Sequence, residues 1–216
     1  MIREYAEATE IAIANCFTYT IWLKPDSCRE KIAAMSTVKI VVNRALSRLV
    51  GVPLWDRWRF NGCSMEILDL GAKILKTSRD GETFEYGEYS FHIDCPWRLI
   101  GPRGIVAGIV DSHFPPDERS PKDWDAYKED ARSDVLMNAW LKNWSKRPPR
   151  ILKVEADDIG GFRLLLQKDF VYEVFPADSS PPVDGHWRLI HRAAGQTRHF
   201  VVSGTNAAWG PWAANE

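Results

Sequence analysis

The four residues Trp-Arg-Leu-Ile occur twice in this chain, once in each half, and this repetition constrains the fold more than any other feature. The first copy lies in PWRLIG (96–101) and the second in HWRLIH (186–191). The first half reads MEILDLG, YSFHIDCP, WRLI, a turn and IVAGIV, and the second reads FRLLLQK, FVYEVFP, WRLI, a turn and HFVVSG. Both halves predict the same order of strands. Two repeats are too few for a solenoid, so the pattern indicates two related antiparallel β-meanders.

Helical periodicity is confined to two parts of the chain. Apolar residues recur at helical spacing over 36–50, where Ser36 can cap the start and Gly51 can end the helix. A connecting helix is predicted over 121–146, because a proline favours the first turn and Pro148-Pro149 ends the helix. Its predicted buried face comprises Trp124, Tyr127, Ala131, Val135, Ala139 and Trp140. The predicted fold is α+β, with β halves at 54–111 and 150–204, an N-terminal helix and a connecting helix.

The first 34 residues differ from the rest in having weak periodicity, with a break at Lys24-Pro25-Asp26-Ser27. We expect residues 1–34 to form a weakly structured N-terminal extension and residues 35–216 to form a single α+β domain. No regular element is predicted from Thr205 onward.

The composition argues against several function classes. With 28 basic and 29 acidic residues, the net charge is −1, so the basic surface typical of nucleic-acid binding is not expected. The apolar stretch at 11–23 is shorter than the roughly 20 residues that a membrane span needs, and no basic segment of a secretory signal precedes it. The four cysteines form no C-x-x-C pair. We predict a cytoplasmic protein that binds neither nucleic acid nor membrane.

The arginine of each WRLI copy is a candidate binding residue. Arg98 and Arg188 lie on the strand face opposite to the Trp and Leu of the motif. Their stems could cover apolar surface while the guanidinium groups stay in solvent, or the two could converge into one anion site. The packing role is the favoured interpretation, and the two-arginine site is the alternative.

A second candidate site combines two histidines with two carboxylates. His92 and Asp94 share the polar face of an alternating strand, and Asp111 and His113 follow a strand that could return beside it. Such a set could hold a metal ion or form a base with its orienting acid. The favoured interpretation is a polar strand face, since motifs such as H-E-x-x-H are missing. No catalytic residue, metal or cofactor is assigned, and Cys95 is predicted to be a buried apolar residue.

Three further histidines surround the second WRLI copy. His191 and His199 straddle a predicted hairpin and could face each other, with His186 just before the motif. A cross-strand polar pair is the favoured interpretation of His191 and His199.

The stretch GEYSFHIDCPWRLIGPRGIVAGIVD (87–111), with VGVPLW (50–55) ahead of it, resembles a group of small bacterial proteins without an established activity. The stretch VEADDIGGFRLLLQKDFVYEVFPADS (154–179) and the later HWRLI and HFVVSG are similar to their C-terminal part. The resemblance covers roughly residues 36–204, and its most specific feature is the H-x-D-C-P-W-R strand. It implies a single α+β domain and brings no catalytic motif.

By elimination, the sequence favours a non-catalytic cytosolic protein that binds another protein, such as an immunity or accessory protein of bacterial competition systems. The alternative is a small-molecule or metal-dependent enzyme that uses the region of His92, Asp94, Asp111 and His113. Convergence of those four side chains in one pocket would favour the enzyme, whereas an exposed aromatic patch would favour a partner surface.

A chain truncated to begin at Met35 is expected to keep a cooperative thermal transition, because the residues before Met35 lack a strong pattern and precede a complete helix start. Calorimetry of the full and truncated chains measures this. Loss of the cooperative transition on truncation would show that 11–23 belongs to the core.

Overall fold

The computed structural model describes residues 37–60, 65–77, 80–117, 120, 122–125, 130–177, 185–193, 196–204 and 206–210. The predicted extension at 1–34 and the Ser36 cap lie outside these ranges. Within them, no helix has the length and apolar character needed to cross a membrane.

The described residues form two α-helices and eleven β-strands. Helix α1 covers 37–46 and continues into a 3-10 turn at Ser47–Leu49, and helix α2 is Arg132–Lys142. The strands are β1 (Leu54–Arg59), β2 (Glu66–Thr77), β3 (Thr83–Ile93), β4 (Trp97–Gly101), β5 (Gly104–Gly108), β6 (Ile151–Ala156), β7 (Phe162–Leu166), β8 (Val171–Val174), β9 (Trp187–Ala193), β10 (Gln196–Ser203) and β11 (Asn206–Gly210). Short 3-10 segments follow β5 (Ile109–His113) and β7 (Gln167–Asp169).

The predicted α+β fold with two similar antiparallel meanders is confirmed, and each meander contributes strands to both sheets. The six-stranded sheet has the order β1-β2-β3-β9-β10-β11, and the five-stranded sheet has the order β5-β4-β8-β7-β6. In each half, three strands form one sheet, and the WRLI strand and the strand after it join the sheet of the other half. The chain therefore has an internal pseudo-two-fold arrangement in which β1–β5 correspond to β6–β10.

The chain crosses from one sheet to the other after β3 and after β8, and an equivalent backbone hydrogen bond is present at both crossings. After β3, the Asp94 N–H donates to the His186 carbonyl at 2.9 Å, and after β8 the Phe175 N–H donates to the Pro96 carbonyl at 2.9 Å. Each acceptor immediately precedes the tryptophan of a WRLI copy. The end of the third strand in one half therefore fixes where the WRLI strand of the other half begins.

Reciprocal backbone bonds also join the first strands of the two halves. The Leu54 N–H donates to the Pro149 carbonyl at 2.9 Å, and the Ile151 N–H donates to the Val52 carbonyl at 3.1 Å. These bonds connect the edge strands β1 and β6.

Gly51 turns the chain into this pairing with a φ of 84°, which glycine adopts without steric cost, and so ends the first helical segment as predicted.

Each helix is attached to the first strand of the other half. In α1, the Asn43 side-chain oxygen accepts a hydrogen bond from the Ala156 N–H, at the end of β6, at 3.0 Å. In α2, the Asp134 carboxylate pairs with Arg57 and Arg59 of β1 at 2.5 and 3.1 Å. The helices therefore belong to the repeat, which comprises a helix followed by five strands.

The two WRLI strands occupy matching positions in the core. Trp97 and Trp187 are each 1% exposed, and each strand pairs with the strand that follows it. Trp187 contacts Phe162 of the facing sheet, with ring centroids 4.7 Å apart, and Trp97 stacks on Tyr172 at 5.5 Å. The Trp and Leu of both copies face the apolar interior between the sheets, because side chains alternate along a strand.

The connecting helix is shorter than predicted and buries only part of the predicted face: Ala131 and Trp140 are buried, Val135 and Ala139 are exposed, and Tyr127 lies outside the described ranges. Residues 122–125 are not helical, and α2 begins at Arg132, where the Ala131 N–H donates to the Asp134 carboxylate at 2.7 Å. Val135 is 45% exposed, whereas the polar Asp134 is buried. The buried positions of α2 are Ser133, Asp134, Met137 and Trp140. The ion pairs of Asp134 with Arg57 and Arg59 of β1 hold this polar face of α2 against the sheet.

The end of the chain also departs from the prediction. Asn206–Gly210 forms β11, which pairs with β10 at the edge of the six-stranded sheet. The half-buried Trp209 of this strand packs against Phe200, with ring centroids 5.3 Å apart. Burial of this single aromatic side chain stabilises a strand that has no alternating pattern of its own.

Trp97→Ala and Trp187→Ala are each expected to lower the free energy of unfolding by about 3–5 kcal/mol, because both side chains fill the core. The phenylalanine variants should differ. The Trp187 indole donates to the Gly160 carbonyl at 2.8 Å, whereas the Trp97 indole N–H has no acceptor among the described residues. Trp187→Phe should therefore cost roughly 1 kcal/mol more than Trp97→Phe.

Urea denaturation of the four variants measures these differences. A neutral alanine variant at either tryptophan would contradict the equivalence of the two halves.

Candidate functional site

Arg98 and Arg188 occupy equivalent positions in different sheets and do not meet. The neighbour of Arg98 across the strands is Glu173, whose carboxylate lies 2.5 Å from the Arg98 Nε. The neighbour of Arg188 is His92, whose Nδ1 lies 3.0 Å from the Arg188 Nη2. Both arginines point away from the apolar interior, on opposite outer faces of the two packed sheets. The structure thus does not bring them together into one anion site.

His92 and Asp94 lie together at a shallow concavity of about 230 Å³ on the outer face of the six-stranded sheet. The other residues that line it are Phe60, Met65, Gly185, Trp187 and Arg188. Asp94 is exposed, and His92 is half-buried. Of the candidate residues from the sequence, this concavity brings together His92, Asp94 and Arg188.

The imidazole of His92 is neutral at physiological pH. Burial, together with the nearby guanidinium groups of Arg188 and Arg192, lowers the pKa of His92 to about 3. The Nδ1 lone pair accepts hydrogen bonds from Arg188. Because the Nδ1 lone pair is engaged by Arg188, this nitrogen is a poor general base. The local geometry therefore favours a positioning role for His92 over a catalytic one.

Asp111 and His113 lie in the 3-10 segment after β5 and line no part of the His92 concavity. The Asp111 carboxylate accepts a hydrogen bond from the Gly108 N–H at 2.9 Å. The segment is held against α2 by a hydrogen bond between the Ser112 and Ser133 hydroxyls at 2.9 Å. Across the described ranges, no group of three or more His, Cys, Asp or Glu side chains is arranged to bind a metal ion.

The histidines of the second half do not form the expected cross-strand pair. The register places His191 opposite Arg198 and His199 opposite Ile190, so the two imidazoles lie on opposite faces of the sheet. His191 stacks on Tyr89 with ring centroids 4.5 Å apart. Burial lowers the pKa of both histidines. Cys95 is buried in the apolar core, as predicted.

Sequence reasoning missed a buried ion cluster between β1, β2 and α2. Arg57 donates to Glu66 at 2.5 and 2.8 Å and to Asp134 at 2.5 Å, and Arg59 also contacts Asp134. Burial raises the pKa of Glu66. It opposes the charge of Asp134 too, but the Ala131 N–H and Arg57 lower the pKa of Asp134 on balance. The charges of the cluster pair with one another, so we interpret it as the attachment of α2 to the sheet.

A second feature missed from the sequence is a surface groove near the C-terminal end of α2, with a volume of about 600 Å³. We call it the Trp144 groove; it is lined by Asn143, Trp144, Lys146, Arg147, Leu152, Gln167 and Lys168. Trp144 is half-buried, and the cationic residues are exposed. The signals in the sequence were KNWSKRPPR (142–150) and Lys168-Asp169, which become neighbours only when β7 and α2 pack together.

No protein-family model matches the chain, and comparisons with curated proteins and with solved structures find no significant similarity. The resemblance to small bacterial proteins inferred from the sequence therefore stays a prediction.

Replacing His92 by glutamine is expected to reduce the loss of stability in acid. The folded state disfavours protonation of His92, so between pH 6.5 and about 3 the unfolded chain binds a proton that the folded chain does not. The contribution of His92 to stability is therefore present above pH 6.5 and is lost as the pH falls.

Urea denaturation at about pH 7.5 and about pH 4.5 compares the native chain with His92→Gln. The native chain should lose more stability than the variant. His113→Gln, at an exposed position, controls for the removal of a histidine. An identical loss in the native chain and in His92→Gln would contradict the burial of a neutral His92.

Proposed function

We propose that this chain is a non-catalytic cytoplasmic protein that acts by binding another protein, and that the Trp144 groove is the binding surface. The observation that carries the proposal is the combination of one half-buried tryptophan, packed against Trp140 and Phe170, with three exposed cations that form no ion pair with the described residues. Tryptophan and arginine are enriched among the residues that dominate binding energy at protein interfaces. A role as an immunity or accessory protein in bacterial competition is the narrower form of this proposal.

The polar residues that the sequence singled out support this proposal by their internal contacts. Arg98 is engaged by Glu173, Arg188 by His92, and Asp111 by a backbone N–H. These contacts occupy the groups that an active site would need to offer to a substrate.

The alternative is a small-molecule or metal-dependent enzyme. It is favoured by one observation, the concavity that His92, Asp94 and Arg188 share. Its volume of about 230 Å³ is below the range of roughly 300–1,000 Å³ that is typical of ligand pockets.

Zinc or manganese is expected neither to bind with one-to-one stoichiometry nor to raise the melting temperature, since a ligand of the native state stabilises it by mass action. Calorimetric titration with each metal and melting with and without it provide the measurement. Stoichiometric binding that is abolished by His92→Ala would favour the enzyme.

Purification of the tagged full chain from its source cell is expected to recover a protein partner in stoichiometric amount. The recovery should be lost with Lys146→Glu/Arg147→Glu, which reverses two charges of the Trp144 groove. Lys76→Glu/Arg103→Glu is the matched control, because these exposed side chains lie elsewhere on the surface and the net charge changes equally. Quantitative mass spectrometry compares the three preparations.

Recovery of the same partner with all three chains would place the binding surface elsewhere. Recovery of no partner with the native chain would contradict the proposed function.

A further inference from the structure

We propose that the Trp144 groove binds an acidic segment of the protein partner, with carboxylates on its cations and an apolar side chain against Trp144. This inference rests on the proposed function and names the chemistry that the partner presents.

The charge of the groove has one sign. Lys146, Arg147 and Lys168 line it, and the lining contains no carboxylate. None of these three cations forms an ion pair with a residue in the described part of the chain. Elsewhere on the surface, exposed lysines such as Lys73 and Lys153 are paired with glutamates. The groove therefore presents positive charge that is complementary to a partner's carboxylates.

Trp144 gives the groove a fixed apolar anchor. Its indole packs against Trp140 and Phe170, with ring centroids 6.4 and 6.2 Å away. Leu152 of β6, which is 57% exposed, adds apolar surface to the same groove. An aromatic ring already held by its neighbours loses little side-chain entropy on binding, which lowers the cost of forming the contact.

The turn that carries Lys168 has an unusual backbone. Lys168 has φ 58° and ψ 38°, and Asp169 has φ 60°. Two successive positive φ values are typical of the tightest hairpin turns, where asparagine and glycine are preferred and lysine is not. The turn places the Lys168 ammonium 4.8 Å from the centre of the Trp144 ring, so one cation of the groove is held in place before any partner binds.

The geometry favours an acidic protein segment over other ligands. Nucleic-acid binding normally uses about 6–10 phosphate contacts along a basic track, and this groove offers three cations beside one aromatic ring. A small molecule is typically enclosed over about 70–90% of its surface, whereas most residues lining this groove are exposed. An extended acidic segment needs neither a longer track nor an enclosure.

The probe for this inference is a displayed library of random peptides of about 12 residues, selected on the immobilised full chain. We expect enrichment of peptides that combine Asp or Glu with an aromatic or aliphatic residue. The synthesised peptides should bind Lys146→Glu/Lys168→Glu about tenfold or more weakly than the native chain, as loss of close charge pairs predicts. Binding should be preserved in the charge-conserving Lys146→Arg/Lys168→Arg and in the control Lys76→Glu/Arg103→Glu. Circular dichroism melts verify that each variant folds.

Selection of neutral or basic peptides, or equal binding of acidic peptides to Lys146→Glu/Lys168→Glu, would overturn the acidic segment while leaving a protein-binding role intact. A single-stranded oligonucleotide of about 20 nucleotides that binds the native chain more tightly than any selected peptide would also overturn it. Recovery of no protein partner in the co-purification experiment, by contrast, would contradict the proposed function itself.

Discussion

The pairing of each WRLI strand with the third strand of the other half is the constraint on which the rest of the structure depends. It places β9 beside β3 and β4 beside β8, and so makes both sheets from both halves. We call this arrangement, in which each half contributes its WRLI strand and the following strand to the sheet of the other half, the strand exchange. It also accounts for the matching bonds at the two crossings, between β1 and β6, and between each helix and the first strand of the other half. Neither half can complete its sheet alone, because its own WRLI strand leaves for the other one.

The equivalence of the halves also explains why the candidate polar residues are paired within the fold. The same strand position holds an arginine in both halves, and its cross-strand neighbour is Glu173 in one and His92 in the other. One half therefore has an ion pair and the other a neutral imidazole that accepts from a guanidinium. The Trp144 groove lies outside this scheme, where α2 meets the turn between β7 and β8, and we propose that its three cations bind a partner.

Local periodicity in the sequence predicts the order of the strands along the chain, the apolar face of α1 and the burial of both WRLI tryptophans. The strand exchange could not be predicted, because the alternation of apolar and polar residues specifies which face of a strand is buried and not which strands lie beside it. The orientation of α2 was missed because Asp134 is buried through long-range pairs with Arg57 and Arg59. The sequence correctly predicts that Arg98 and Arg188 point away from the core. That they lie in different sheets follows only from the strand order of the structure. The Trp144 groove is formed by segments that are distant in sequence, so no local pattern predicts it.

Division of the chain after Ser120 tests the exchange most directly, since this point separates the two sets of one helix and five strands. Residues 35–120 and residues 121–216 are produced separately and followed by circular dichroism and amide NMR spectra. The exchanged arrangement predicts that each fragment alone lacks a cooperative transition and that mixing them restores one, with the dispersed amide spectrum of the intact chain. Independent cooperative folding of either fragment would contradict the exchange, because a self-contained meander would then exist without the strands of the other half.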